Sequence, residues 1–214
     1  MTDTPFSTQL RAGTADAHQQ AEQSTFVADL IEGRGKAEHY TALAVQQYFV
    51  YLALEQVGEQ LKDDAVAGPF FIPELLRIPS IEQDLEFLLG DNWVAQTRPL
   101  AATQDYVARI REMVEWPAGY VAHHYTRYLG DLAGGQAIRA ALQSKYGFGE
   151  DGLSFYRFDG IQKVKPFRDD YRARLDGVNT DEAERAKIVE EARRVFALNA
   201  AVFADLQRHS ANGG

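Results

Sequence analysis

The chain has no cysteine. That excludes disulfide scaffolds, zinc–thiolate sites, iron–sulfur clusters and cysteine nucleophiles, and it suits a reducing compartment. No apolar run approaches the roughly 20 residues that span a bilayer. The first residues, MTDTPFSTQLRAG, lack the basic and apolar regions of a secretory signal, and the end, HSANGG, is too polar for a tail anchor. A soluble, cytoplasmic protein that does not enter a membrane is expected. Positive charge is also scarce. The 22 Lys and Arg face 31 Asp and Glu, for a formal net charge of −9 at pH 7. That opposes nucleic-acid binding, which rests on phosphate neutralisation. Gly-rich phosphate loops, nucleophile elbows, HExxH pairs, EF-hand loops, and flavin or nicotinamide motifs are absent. What is present suffices for a core: 45% of the 214 residues are hydrophobic, which rules out a disordered chain.

The periodicity is helical nearly throughout. Tyr40, Leu43, Ala44, Gln47, Val50, Tyr51, Leu54, Val57 and Leu61 keep three-four spacing, with Gln47 the polar exception. Ser80 with Gln83 predicts a capping box, and Gly90 a stop. Thr103 predicts the start of a helix ending before Pro117, and Pro117 the start of a long one stopped by Gly147. Thr180 predicts the start of the last helix, whose stripe includes Val195, Phe196, Val202, Phe203 and Leu206. The stretch from Ala65 to Pro79 reads as a loop inside a domain. One all-α, single-domain bundle over residues 1–214 is expected, with an ordered core from about 7 to 208.

Four features stand out from this background. His18 and Glu22 are four apart, so a helix puts them on one face. That is either a solvated face or a metal-ligating imidazole with the carboxylate that orients it. In RYLGDLAGGQ, three glycines (Gly130, Gly134, Gly135) fall within six helical positions and cost about 1 kcal/mol each relative to alanine. Close helix packing, or bare backbone laid against a flat ligand, must offset this. Asp131 between them is poor packing material and well suited to holding water. Arg127 and Asp131 are spaced i, i+4, either a surface ion pair or part of a network, while Tyr51 and Tyr125 read equally as core. His123 and His124 point about 100° apart on a helix and read as structural or solvated. Lastly, KVKPFRDDYRAR sets Arg168 and Arg172 one turn apart, on a solvated face or able to grip one anionic group.

Together these strings resemble the haem oxygenase family. AHQQAEQSTF, YLALE, HHYTRYLGDLAGGQ, SFYRFDGI, FRDDYRARL and VFALNAAVFADL fall in the family's order from about residue 7 to 208, and RYLGDLxGGQ is highly specific. The resemblance is to the soluble bacterial type, of the kind actinobacteria use to extract iron from haem. It implies a helical bundle with haem b between a proximal N-terminal helix and a kinked Gly-rich distal helix. It makes His18 the proximal iron ligand and Glu22 its hydrogen-bond partner. Gly130, Gly134 and Gly135 become the distal kink, Asp131 the anchor of distal water, and Tyr51 and Arg127 the network behind it. Arg11, Arg168 and Arg172 take the propionate edge, with Tyr125 and Phe203 also against the haem. Ala133 departs from the serine often found there.

The implied reaction uses O₂ and electrons from a separate reductase to open haem to biliverdin, CO and Fe²⁺. Haem is then both substrate and cofactor, and the protein a monomer serving iron acquisition. The alternative is a non-catalytic haem storage or delivery protein, which gains nothing from an Asp amid glycines. A thiaminase-like enzyme is disfavoured because its nucleophile, usually cysteine, is missing.

Overall fold

A computed structural model describes residues 4–212, apart from the side chains of Glu22 and Asn212. Among the described residues it is helical with no strand. The helices in chain order are α1 (Phe6–Gly13), α2 (Ala15–Glu22), α3 (Thr25–Glu32), α4 (Ala37–Gln60), α5 (Ile78–Leu89) and α6 (Trp93–Gln96). There follow α7 (Ala101–Glu112), α8 (Pro117–His124), α9 (Gly130–Ala133), α10 (Gly135–Tyr146), α11 (Val164–Asp176) and α12 (Glu182–Asn212). Two helices organise the rest. The apolar stripe of α12 packs against α1, α2, α3, α4, α7 and α8, and α4 packs against α5 and α7. Tyr51, Leu54, Tyr106, Ile110, Val121, Leu142, Ile188, Ala192 and Val195 are wholly buried in one continuous apolar cluster.

Three predicted helix starts move, each for the same reason. α5 begins at Ile78, two residues before Ser80, with Pro79 in its first turn. Its free N–H groups are taken by Glu55 on α4, which accepts from Arg77 and, at 3.2 Å, from Ile78. α7 begins at Ala101, and Asp205 of α12 accepts the Ala102 N–H at 2.8 Å, so Thr103 lies buried inside the helix. α12 is capped by Asp181, which accepts the Glu184 N–H at 2.8 Å, and not by Thr180. Carboxylates, from other helices at α5 and α7 and from the neighbouring Asp181 at α12, do the capping that local serine and threonine were expected to do. The stretch from 65 to 77 is irregular, as expected, with 3₁₀ turns at Gly68–Phe70 and Pro73–Leu75.

The long helix expected from Pro117 to Tyr146 is interrupted. A π-turn at Tyr125–Leu129 follows α8, and the ladder breaks again at Gly134 before α10 runs to Gly147, a left-handed stop at φ 73°. The irregularity therefore starts five residues before Gly130, where the resemblance had put the kink on the glycines alone. Single-turn π insertions of this kind are frequent at functional sites.

His123 and His124 are buried, which settles the solvated alternative against them. His123 Nε2 lies 3.1 Å from Glu191, and His124 Nδ1 lies 2.8 Å from the Tyr171 hydroxyl. Burial, helped by the nearby positive charge of Arg174, pushes the His124 imidazole down to about 3. The rings of Tyr128, Tyr120, Phe70 and Tyr171 surround it. An unfolded chain protonates this histidine near pH 6.5, so below that pH the unfolded state binds more protons and stability falls as pH drops towards 3. His124→Phe should flatten that limb: its stability relative to wild type, measured by urea unfolding, should improve by about 1.4 kcal/mol per unit of acidification below pH 6.5.

Candidate functional site

α12 ties the two halves of the site together. On one side, the His18 ring on α2 meets Phe196 edge to face, centroids 5.5 Å apart at 83°. His18 is itself exposed. Three residues further along α12, Asn199 accepts a 2.7 Å hydrogen bond from Arg127 in the π-turn. A histidine face and the interrupted helix are thus held by neighbouring turns of one rigid element. The Glu22 side chain lies outside the described residues, so its expected bond to His18 is not placed. Phe203, further along α12, stacks on Phe26 of α3 with centroids 6.4 Å apart.

The three glycines separate into two kinds. A Cβ at Gly135 would stand 3.1 Å from the buried Tyr156 ring, so this glycine permits close packing. A Cβ at Gly130 would meet nothing within 4 Å, and one at Gly134 only the Gly130 carbonyl at 3.4 Å. Both have ordinary right-handed helical backbone, φ −60° at Gly130 and −73° at Gly134, so neither needs glycine for its conformation. Both are exposed. Packing and backbone strain therefore leave these two glycines unexplained, and an apolar surface laid against bare helix backbone explains them. The contrast is testable by substitution. Gly135→Val should lose about 1–3 kcal/mol by overpacking, seen as a lower Tm. Gly130→Leu should keep the wild-type Tm, because helix propensity favours it by up to about 1 kcal/mol, while abolishing binding of any flat ligand at that face.

Asp131 sits between these glycines with only 14% of its side chain exposed. Tyr51 on α4 donates to its Oδ2, and an Arg127 terminal nitrogen lies 3.9 Å from the same oxygen. The Arg127 guanidinium also lies over the Tyr51 ring, 5.0 Å from its centroid. Arg127 is 7% exposed, so this is a buried network and not a surface ion pair. Burial pushes the Asp131 carboxyl well above the usual carboxylate range. A carboxyl in that condition is biased towards its protonated form and so towards donating a proton. Asp84 of α5 supports the arrangement from behind. Its two oxygens accept the Ser154 and Phe155 N–H groups at 2.7 Å, fixing the turn whose Phe155 ring packs on Tyr51.

A basic edge completes the site. Arg11 of α1, with Arg172 and Arg168 of α11, lies close enough to the half-buried Tyr125 hydroxyl to favour its ionised form, against the larger upward push of burial. Thr14, four residues before His18, lies beside the same hydroxyl and gives its own hydroxyl proton to the Leu10 carbonyl at 2.8 Å. Arg172 also pairs with Asp169 at 2.7 Å, whereas the buried Arg168 Nε has no partner. The fold thus brings Arg11, Tyr125, Arg168 and Arg172 together, and separately Tyr51, Arg127 and Asp131. Sequence reasoning missed Asn199 and the contact of Phe196 with His18. An asparagine within the otherwise small and apolar run FALNAAVF was the available signal for the first. Among the described residues no cluster of three or more metal-ligating side chains occurs.

The residues present suit haem. It needs one axial base, an apolar slot open to a flat ring, and cations for its two carboxylates. His18, the open glycine face and the three arginines provide these in turn.

Comparison with known proteins agrees. The family model described as heme oxygenase matches residues 4–205. A heme oxygenase 1 from the cyanobacterium Synechocystis is 38% identical over 203 residues, 94% of this chain and 85% of that protein. A heme oxygenase from Rhodella violacea is 37% identical over 206 residues, 95% of this chain and 88% of that one. Among solved structures, Synechocystis heme oxygenase-1 in complex with heme superposes with a TM-score of 0.94 at 36% identity, covering 98% of this chain and 96% of that one. Heme oxygenase from Leptospira interrogans gives 0.87 at 36% identity, covering 94% and 98%.

Proposed function

The chain belongs to the haem oxygenase family, and on that premise we propose how its own residues serve the O₂- and electron-dependent cleavage of haem to biliverdin, CO and Fe²⁺. One observation carries the reading: a largely buried Asp131 set between two glycines that face open space, with Tyr51 and Arg127 fixing it from behind. A haem carrier needs the histidine and the basic edge but has no use for that carboxyl.

Haem, when bound, supplies the iron that activates O₂ and the ring that is oxidised. His18 would hold the haem iron through its imidazole. Gly130 and Gly134 would lay bare helix backbone against the ring, with no side chain there to compete for space. That backbone would confine the space beside the ring and so where oxygen can sit. Asp131 holds water beside it and delivers protons. Tyr51 orients the carboxyl, and Arg127, itself held by Asn199, stops it from swinging away. Arg11, Arg168 and Arg172 grip the propionates, with the Tyr125 hydroxyl between them. We read the chain as one domain acting as a cytoplasmic monomer, supplied with electrons by a separate reductase and releasing iron for the cell. Among the described residues no helix is long and apolar enough to cross a membrane.

The basic edge sets which ring carbon is attacked, because it fixes the in-plane orientation of haem. The wild type should release chiefly the α isomer of biliverdin, resolved by chromatography. The double variant Arg168→Glu, Arg172→Glu should release mixed isomers or bind haem at least about tenfold more weakly, in line with losing two charge-assisted contacts. A single unchanged isomer at unchanged affinity would place the propionates elsewhere.

A further inference from the structure

Behind the site, the buried core carries a series of tyrosines whose hydrogen bonds are not explained by packing. The Tyr51 ring meets the Tyr128 ring edge to face, centroids 5.3 Å apart. Tyr128 lies 4.4 Å from His124, which stacks on Tyr171 at 5.7 Å and 11°. All four rings are wholly or almost wholly buried. Each phenol in the series is hydrogen-bonded to a carboxyl or an imidazole. Tyr51 donates to Asp131 and Tyr128 to Glu55 at 3.3 Å, and the Tyr171 hydroxyl lies 2.8 Å from His124 Nδ1, to which it donates when that imidazole carries its proton on Nε2. The other aromatic branch from Tyr51 lacks this property. It runs through Phe155 to Tyr156 and Tyr40, where the Tyr156 hydroxyl has no carboxylate or imidazole partner and Tyr40 donates to the Gly152 carbonyl.

The distinction is chemical. A neutral phenol gives up an electron at moderate potential only if its proton leaves at the same time, so a base must already be hydrogen-bonded to it. Rings in van der Waals contact supply the electronic path. We propose that Tyr51, Tyr128 and Tyr171 form a hole-transfer chain that draws an oxidising equivalent away from the haem and holds it on Tyr171 as a neutral phenoxyl radical, with the proton on His124.

The oxidant is hydrogen peroxide reacting at the haem outside ring cleavage. Breaking its O–O bond releases one water and leaves the second oxygen on a haem short of two electrons. Two one-electron donations with two protons release that oxygen as water, the second of them from a donor such as ascorbate. The first comes from Tyr171 by way of Tyr128 and Tyr51. The Tyr171 O–H bond breaks, the electron goes to the haem and the proton crosses the 2.8 Å hydrogen bond to His124. An oxidised phenol is a far stronger acid than imidazolium, so even an imidazole held down to about 3 by burial accepts the proton. It returns the proton readily once a one-electron donor such as ascorbate reduces the radical. Burial of Tyr171, 1% exposed, keeps the radical from coupling to a second molecule. The chain thus protects the site residues when oxygen activation misfires.

The proposal rests on haem seating beside Asp131, and the Soret band of the loaded protein checks that seating before any peroxide is added. The test is electron paramagnetic resonance on haem-loaded protein, frozen within seconds of mixing with one equivalent of hydrogen peroxide. A tyrosyl signal is expected, with coupling to an exchangeable deuteron when the sample is prepared in D₂O. Tyr171→Phe, which removes only the hydroxyl, should lower that signal at least fivefold or replace it with a different line shape. His124→Phe, which keeps a ring and removes the base, should lower it similarly. If either variant fails to load haem, the wild type still decides. No tyrosyl signal, or one without the exchangeable coupling, overturns the proposal, as does a signal that both variants leave unchanged.

Discussion

Asp131→Ala should leave haem bound and remove most of its conversion. The side chain is neither the axial base nor part of the basic edge, so haem affinity should stay within about threefold of wild type, given that no charged partner of haem is lost. Conversion to biliverdin should fall by about a hundredfold or more, the usual contribution of a positioned acid–base group. With hydrogen peroxide the variant should oxidise guaiacol faster than wild type, because the bound oxygen is no longer steered towards the ring. Asp131→Asn keeps the size and the acceptor for Tyr51 while losing the proton, so its conversion should fall between the two. Haem titration by the Soret band, bilin yield and guaiacol oxidation together give the answer. Weaker haem binding with normal conversion per bound haem would make Asp131 a packing residue.

His18→Ala should lose the absorption spectrum of an imidazole-ligated haem, bind haem more than about tenfold more weakly and cease to make biliverdin. Added imidazole should restore the spectrum by occupying the space left. Of the five histidines, His18 is the one the proposed site requires. His123 and His124 are buried and bonded within the core. His39 accepts the Lys36 N–H at the start of α4, and His209 lies exposed near the end of α12. Substituting His39 or His209 should change neither spectrum nor turnover. A His18→Ala protein that retained the wild-type spectrum would assign the axial position to another residue.

The sequence made the helices and the local spacing of the site legible, because both are written over a few turns. The apolar stripe of α4 and the pair Arg127 and Asp131 are examples. It did not show where α5, α7 and α12 begin, since Glu55 and Asp205 cap α5 and α7 from other helices, and Asp181 displaces Thr180 at α12. Local pattern has no access to a partner more than twenty or a hundred residues away. The same limit hid Asn199, whose role depends on α12 crossing the π-turn. The glycines are the instructive case. Their helical cost raised the right question, yet only the space around each separates Gly135, which packs on Tyr156, from Gly130 and Gly134, which face outward. The sequence left His124 as structural or solvated, and neither its burial nor its pairing with Tyr171 was legible.

The central claim is that the open glycine face and Asp131 together make this a site where haem is consumed and not merely carried. A single turnover measures it directly: load the protein with one equivalent of haem, add ascorbate in air with catalase present, and follow the absorption spectrum while CO is trapped. The expected result is loss of the Soret band, growth of a biliverdin band and about one CO per haem, the stoichiometry of opening one meso bridge of one iron-bound ring. A Soret band that persists, or that bleaches with neither bilin nor CO, would contradict it.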